Sequence, residues 1–135
     1  MNENDINWYV VNEELETEEK GAASCEEAEK IIEEYIESQK GLEGSAEEIA
    51  AGSMFGFLHD ERTFMEICVY GDKEYRVKFE CPEPRSVLFV RWEGVYSREI
   101  GVLDRDRLKE IVREFYRREV EDFKRYFSGL RDECV

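Results

Sequence analysis

The sequence is short of most residues that announce a chemistry. Its 135 residues include one histidine, two prolines and four cysteines, with no Cys-x-x-Cys pair. A zinc centre needs several Cys or His ligands in close groups, and Cys25, Cys68, Cys81 and Cys134 are scattered along the chain. No glycine-rich phosphate loop of Walker or dinucleotide type occurs. Gly52, Gly56, Gly71, Gly94 and Gly101 read as turn or strand-end punctuation. No apolar run approaches the roughly 18 residues of a membrane helix. Met1, Asn2, Glu3, Asn4 and Asp5 lack the basic and apolar regions of a secretory signal. The expected compartment is therefore the cytoplasm, with reduced thiols. Positive charge is scarce as well: 19 basic against 34 acidic residues give a net charge of -15. Phosphate backbones and anionic membranes repel such a chain, which sets nucleic acid and membrane aside as expected partners.

What the chain does have is core material. It is 41% hydrophobic and 13% aromatic, and a chain of this size buries roughly two-thirds of the surface it exposes when unfolded. Residues 1–135 read as a single domain without a linker. Charge is uneven along it. Residues 1–50 hold 16 acids and 3 bases, whereas residues 51–135 hold 18 and 16.

The pattern predicts a first strand at Asn7, Trp8, Tyr9, Val10 and Val11, then an acidic loop over residues 12–22. Ser24 and Glu27 form a capping box ahead of a helix whose apolar positions are Ala28, Ile31, Ile32, Tyr35 and Ile36, stopped by Lys40 and Gly41. Ser45 to Glu48 repeats the cap before one or two further turns. Strands are expected at 54–58, 63–70, 74–80, 86–93 and 95–100, with turns at residues 59–62 and at Gly71 and Asp72. Pro82 and Pro84 are expected to interrupt pairing. The run 86–93 reads as the central strand because it is the most apolar, and 95–100 as its short hairpin partner across Gly94. Asp104 is placed to cap a last, continuous helix reaching Gly129, with Leu103 and Leu108 spaced for a hydrophobic staple. The expected fold is α+β. A mainly antiparallel sheet of about five or six strands carries two principal helices on one face, in the order β-α-β-β-β-β-β-α.

His59, beside Asp60, could pose as a general base, but a predicted turn favours a solvated loop histidine. Asp60, Glu61, Glu66 and Glu93 lie on or beside strands and could converge as carboxylate or magnesium chemistry requires. In a chain with 34 acids, chance proximity is the competing explanation. In the first helix Glu26, Glu29, Glu33 and Glu37 share a face, which is either a solvated surface or a ligand for a basic partner. Trp92, Tyr96, Arg91 and Arg98 offer a second patch of residue types favoured at binding sites. Strand alternation puts Trp92 in the core with Leu88 and Val90, and leaves Tyr96 and Arg98 facing outward.

The segment Ile100-Gly101-Val102-Leu103-Asp104 through Leu108-Lys109-Glu110-Ile111-Val112-Arg113-Glu114-Phe115, with the succession of elements before it, resembles the immunity proteins of bacterial polymorphic-toxin systems, especially the first-numbered family. The sharper likeness covers residues 95–116. In that family the helix usually stops at a Gly soon after the Phe, with a Pro and a Trp-bearing strand beyond. Here the helical pattern continues through Tyr116 to Val120. The resemblance implies a small, non-enzymatic cytoplasmic protein that silences a toxin domain, often a nuclease or deaminase. The corresponding expectation is occlusion of a cognate basic toxin, with Glu26, Glu29, Glu33 and Glu37 as charge contacts and Tyr96 as an aromatic anchor. No cofactor and no metal are expected. The alternatives are a homodimeric interaction or scaffolding module and a carboxylate-based, metal-dependent enzyme.

Overall fold

The computed structural model describes residues 6–11, 14, 16–39, 54–69 and 74–133. Period-two alternation of large apolar residues lays down six strands: β1 (Asn7–Val11), β2 (Thr17–Ala22), β3 (Met54–Asp60), β4 (Thr63–Val69), β5 (Tyr75–Val87) and β6 (Val90–Val102). They form one sheet in the order β2-β1-β3-β4-β5-β6, and every neighbouring pair is antiparallel. Three helices follow the apolar stripes: α1 (Cys25–Gln39), α2 (Arg105–Arg117) and α3 (Val120–Ser128). The fold is α+β with a mainly antiparallel sheet, as expected. Among the described residues no helix is long and apolar enough to cross a membrane.

Register puts the core on one face of the sheet. Phe57, Met65 and Phe79 stand abreast on β3, β4 and β5, and Phe55, Ile67, Val77 and Ile100 form the next row. These side chains cluster with Ile32 and Ile36 of α1, Leu108, Ile111, Val112 and Phe115 of α2, and Phe123 and Phe127 of α3. Each such large side chain, fully withdrawn from water, contributes roughly 1.5–3 kcal/mol. Phe79 is the hub. Its ring lies 6.1, 4.8 and 5.8 Å from those of Phe115, Phe123 and Phe127.

The caps predicted at Ser24 and Asp104 form. The Ser24 amide donates to Glu27 Oε1 at 3.1 Å and the Glu27 amide to Ser24 Oγ at 3.2 Å. Asp104 Oδ1 accepts from the Asp106 amide at 2.9 Å. Leu108 is buried while Leu103 stays exposed.

Several expectations are corrected. Residues 17–22 of the predicted acidic loop are edge strand β2, recruited by backbone pairing with β1 although all of its side chains are exposed. The last helix is not continuous: Arg118 and Glu119 adopt extended conformations with ψ of 151° and 157°, which starts α3 on a new axis. The two prolines do not stop β5, which pairs with β6 through Pro82–Val95 and Pro84–Glu93. In a strand, the amides of residues i and i+2 point to the same side, so both missing donors fall on one edge. That edge is the one β4 has vacated, since its pairing with β5 ends at Phe64–Glu80. The three strands expected between residues 74 and 100 are thus two long ones. Their turn is Leu88-Phe89, with Leu88 in the left-handed region at φ 56°. The predicted turns at residues 45–52 and at Gly71 and Asp72 lie outside the described residues, as do Lys40 and Gly41.

Gly56 is strand interior rather than punctuation. It faces the side of the sheet away from the helices, where the Tyr9 ring crosses it and the Tyr9 hydroxyl donates to Glu66 Oε1 at 3.0 Å. Burial, with Glu66 alongside, pushes that hydroxyl's pKa up. A Cβ at Gly56 would collide with the Tyr9 ring and lie 2.6 Å from the Met65 carbonyl oxygen. Because the carbonyl belongs to the paired strand, it cannot step aside. Gly56→Ala is expected to destabilise the fold by about 1–3 kcal/mol in urea titration; an unchanged midpoint would mean that the sheet yields there.

Candidate functional site: an anionic flank and an apolar arm

The glutamate stripe of α1 faces α2, and the two helices close an ion-pair ladder. Glu29 Oε1 accepts from Arg113 Nε at 3.0 Å. Glu33 takes Arg105 at 2.9 Å and also Lys109. Glu37 lies 3.7 Å from Arg105. The Lys109 ammonium donating to Glu33 holds that carboxyl below its ordinary pKa. Three of the four expected contact residues therefore have partners within the chain, and the stripe is not a free row of charge. Glu26 and Glu34 remain exposed at the rim of this face, which shares a shallow groove with Lys30 and Lys109. The ladder does not neutralise the helix pair. α1 carries six glutamates against one lysine, whereas α2 carries five cations against three acids. Next in the chain, β2 adds Glu18 and Glu19, both exposed, with Glu18 opposite Val10 on the helix-bearing side.

Tyr96 does not face outward. It stands opposite Cys81 on the helix-facing side, its ring 6.0 Å from Phe79 and its hydroxyl 2.6 Å from Ser128 Oγ. Lys124 Nζ lies 5.4 Å over the ring. Arg98, on the same side, donates to the Phe127 carbonyl and, at 2.6 Å, to the Leu130 carbonyl. Its guanidinium thus adds a charged donor to carbonyls at the end of α3, where the Phe127 oxygen also accepts the Leu130 amide. Both residues are struts under α3. The outward orientation expected for them requires a turn at Gly94; in unbroken β6, Trp92, Tyr96, Arg98 and Ile100 share one face.

Beyond these struts β5 and β6 leave the body as a two-stranded arm. Lys124 holds Glu83 at its base at 2.8 Å, and Arg62 pairs with Glu93. Arg85 folds back across Gly94 and donates to the Val95 carbonyl at 3.3 Å. A Cβ at Gly94 would lie 2.7 Å from Arg85 Nε, so the brace needs glycine there. The tip is apolar and bare: Leu88 is 92% exposed, Phe89 101%, Val90 65%, Val87 59% and Trp92 46%. The expectation of a central, buried strand over residues 86–93 is overturned. An unbroken apolar run signals burial by something, and this run has outgrown its own core. Pro84, Arg85, Ser86, Arg91, Trp92 and Glu93 line a shallow hollow on the arm.

Three of the four acids proposed for carboxylate chemistry have separate duties. Asp60 Oδ1 accepts from the amides of Arg62 and Thr63 at 2.8 and 2.9 Å and shapes the β3–β4 turn. Glu66 accepts from Tyr9, and Glu93 pairs with Arg62. Among the described residues, no three His, Cys, Asp or Glu side chains gather as a metal site would need.

His59 is not a solvated loop residue. It occupies an irregularity at the end of β3, its ring packed 4.5 Å from that of Phe115. Burial holds its pKa below the ordinary value. The unfolded chain takes up this proton near pH ~6.5 while the folded chain resists it, so His59 costs stability as pH falls below that point. Between about pH 7.5 and 5.5 the native chain is expected to lose more stability than His59→Phe in urea titration. Parallel pH profiles would contradict this.

No family model, curated protein or solved structure matches the chain.

Proposed function

We propose that this chain is a non-enzymatic inhibitor, an immunity protein that binds a cationic toxin domain acting on nucleic acid, such as a nuclease or deaminase, and occludes its active site. The observation that carries the reading is the anionic flank. With the α1–α2 ladder closed, the exposed Glu26 and Glu34 of α1 still present negative charge, and Glu18 of β2, 3.8 Å from Lys20, adds a carboxylate on the helix-bearing side of the sheet. A protein that grips polyanions needs a basic cleft, and spaced carboxylates on a rigid helix can compete for it. Such a field raises association rates to about 10⁸–10⁹ M⁻¹s⁻¹ at low salt. The ladder gives α1 its rigidity by tying it to α2, while the rim glutamates do the steering.

The test begins with capture of partners from the native host at low salt. It continues with the purified partner, whose nuclease or deaminase activity should fall to background at a stoichiometric amount of this chain. Glu26→Lys with Glu34→Lys should slow association several-fold and flatten its salt dependence. Reversing Glu29 or Glu33 would break the ladder and confuse folding with binding. An unchanged on-rate in the rim variant removes the flank as the contact, and a partner that stays fully active when saturated removes the inhibitor reading.

A further inference from the structure

The apolar arm shares no residue with the anionic flank, and its bare side chains are ordered along its axis rather than spread over one face. We infer that the β5–β6 arm is a reversible membrane anchor. Its tip enters the outer layer of a phospholipid bilayer end-on, while Arg91 and Trp92 stay among the headgroups.

Three features select a lipid surface. The first is direction. Exposure rises from Trp92 through Val87 and Val90 to Leu88 and Phe89 at the turn. A partner strand or sheet would cover an edge or a face of the arm, whereas this gradient points along it, toward something met tip first. The second is layering. Behind the Leu88-Phe89 turn come the pairs Val87–Val90, Ser86–Arg91 and Arg85–Trp92. At ~3.3 Å per residue the turn stands about 10 Å beyond Trp92, the depth to which interfacial segments bury their apolar residues. Trp is favoured at the headgroup level. Arg91 is exposed and makes no ion pair among the described residues, so its guanidinium is available to lipid phosphate. The acids come last: Glu93 and Glu83 lie nearer the body, and each already has a cation, Arg62 and Lys124. The third is reach. The chain's net charge of -15 set membranes aside, but the arm extends from Glu80 to Val87, seven residues past the β4 pairing, or about 23 Å. With about 10 Å of that inserted, the body stands ~13 Å clear of the bilayer, farther than the Debye length of about 8 Å at physiological salt.

Co-sedimentation of the full chain with phosphatidylcholine vesicles at about 150 mM salt tests this directly. The bound fraction should rise with lipid concentration, and tryptophan emission should shift to shorter wavelength. Phosphatidylcholine brominated near the headgroup end of its acyl chains should quench that emission more than phosphatidylcholine brominated near the chain ends, because Trp92 stays shallow. Leu88→Ser with Phe89→Ser should lower partitioning at least tenfold at unchanged thermal stability, since both side chains are bare. Arg91→Glu should lower it several-fold, which keeps the test open if the double variant misfolds. A native chain that stays in the supernatant up to about 5 mM lipid overturns the inference, as does a double variant that binds equally well. Self-association of the native chain without lipid, lost in the double variant, would also overturn it by assigning the tip to a second copy.

Discussion

The helical layer of this protein is shorter than the hairpin it covers, and much of the molecule's character follows from that mismatch. β5 and β6 each run for 13 residues, whereas β4 runs for seven. α3 roofs the sheet only as far as the Phe79 cluster, the Tyr96–Ser128 contact and the Lys124–Glu83 pair. Up to that line the alternating apolar residues of β5 and β6 are buried. Past it the same backbone pairing continues with only Arg62, on Glu93, reaching it among the described residues, so the side chains of the tip face water. The break at Arg118 and Glu119 matters here. It turns the polypeptide so that Phe123 and Phe127 close over Phe79 at the base of the arm.

Electrostatics divides along the same lines. On the body, Arg105, Lys109 and Arg113 of α2 pair with glutamates of α1, which fixes the two helices side by side and leaves the acid surplus on the rim. Exposed ion pairs are individually worth about 0.2–1 kcal/mol, so the ladder orients rather than holds. The apolar stripes beneath it do the holding. On the arm the bases lie outward and the acids inward, the reverse of the body's bias.

How much of this was legible in the residues varied with the range of the interaction that decides it. The capping boxes at Ser24 and Asp104 and the apolar stripes of α1 and α2 are local, and the sequence shows them directly. The alternation of Tyr75, Val77 and Phe79 likewise fixes their face without knowledge of any neighbour. Three features were hidden because they depend on a distant partner. β2 carries no apolar alternation and exists through its pairing with β1. Pro82 and Pro84 look like breakers until the edge they occupy is known to be empty. Gly94 looks like a turn until Arg85 is seen to cross it, and that single misreading inverted the orientation of Tyr96 and Arg98. The charge pairing of Glu29, Glu33 and Glu37 was out of reach for the same reason, since their partners lie some seventy to eighty residues away on α2. The turn at Leu88-Phe89 gave no warning at all, because it contains neither glycine nor asparagine.

The claim on which the rest stands is that the apolar tip, Val87 to Val90, has no packing partner among the described residues of its own chain. Residue-resolved hydrogen exchange tests it most directly, by comparing the amides of residues 84–94 with those of residues 75–81 as the protein is diluted. The account predicts that the inner segment stays slow, while the arm exchanges quickly in dilute solution. An arm as slow as the inner segment, at all dilutions, would show that the chain buries its own tip and would contradict the account.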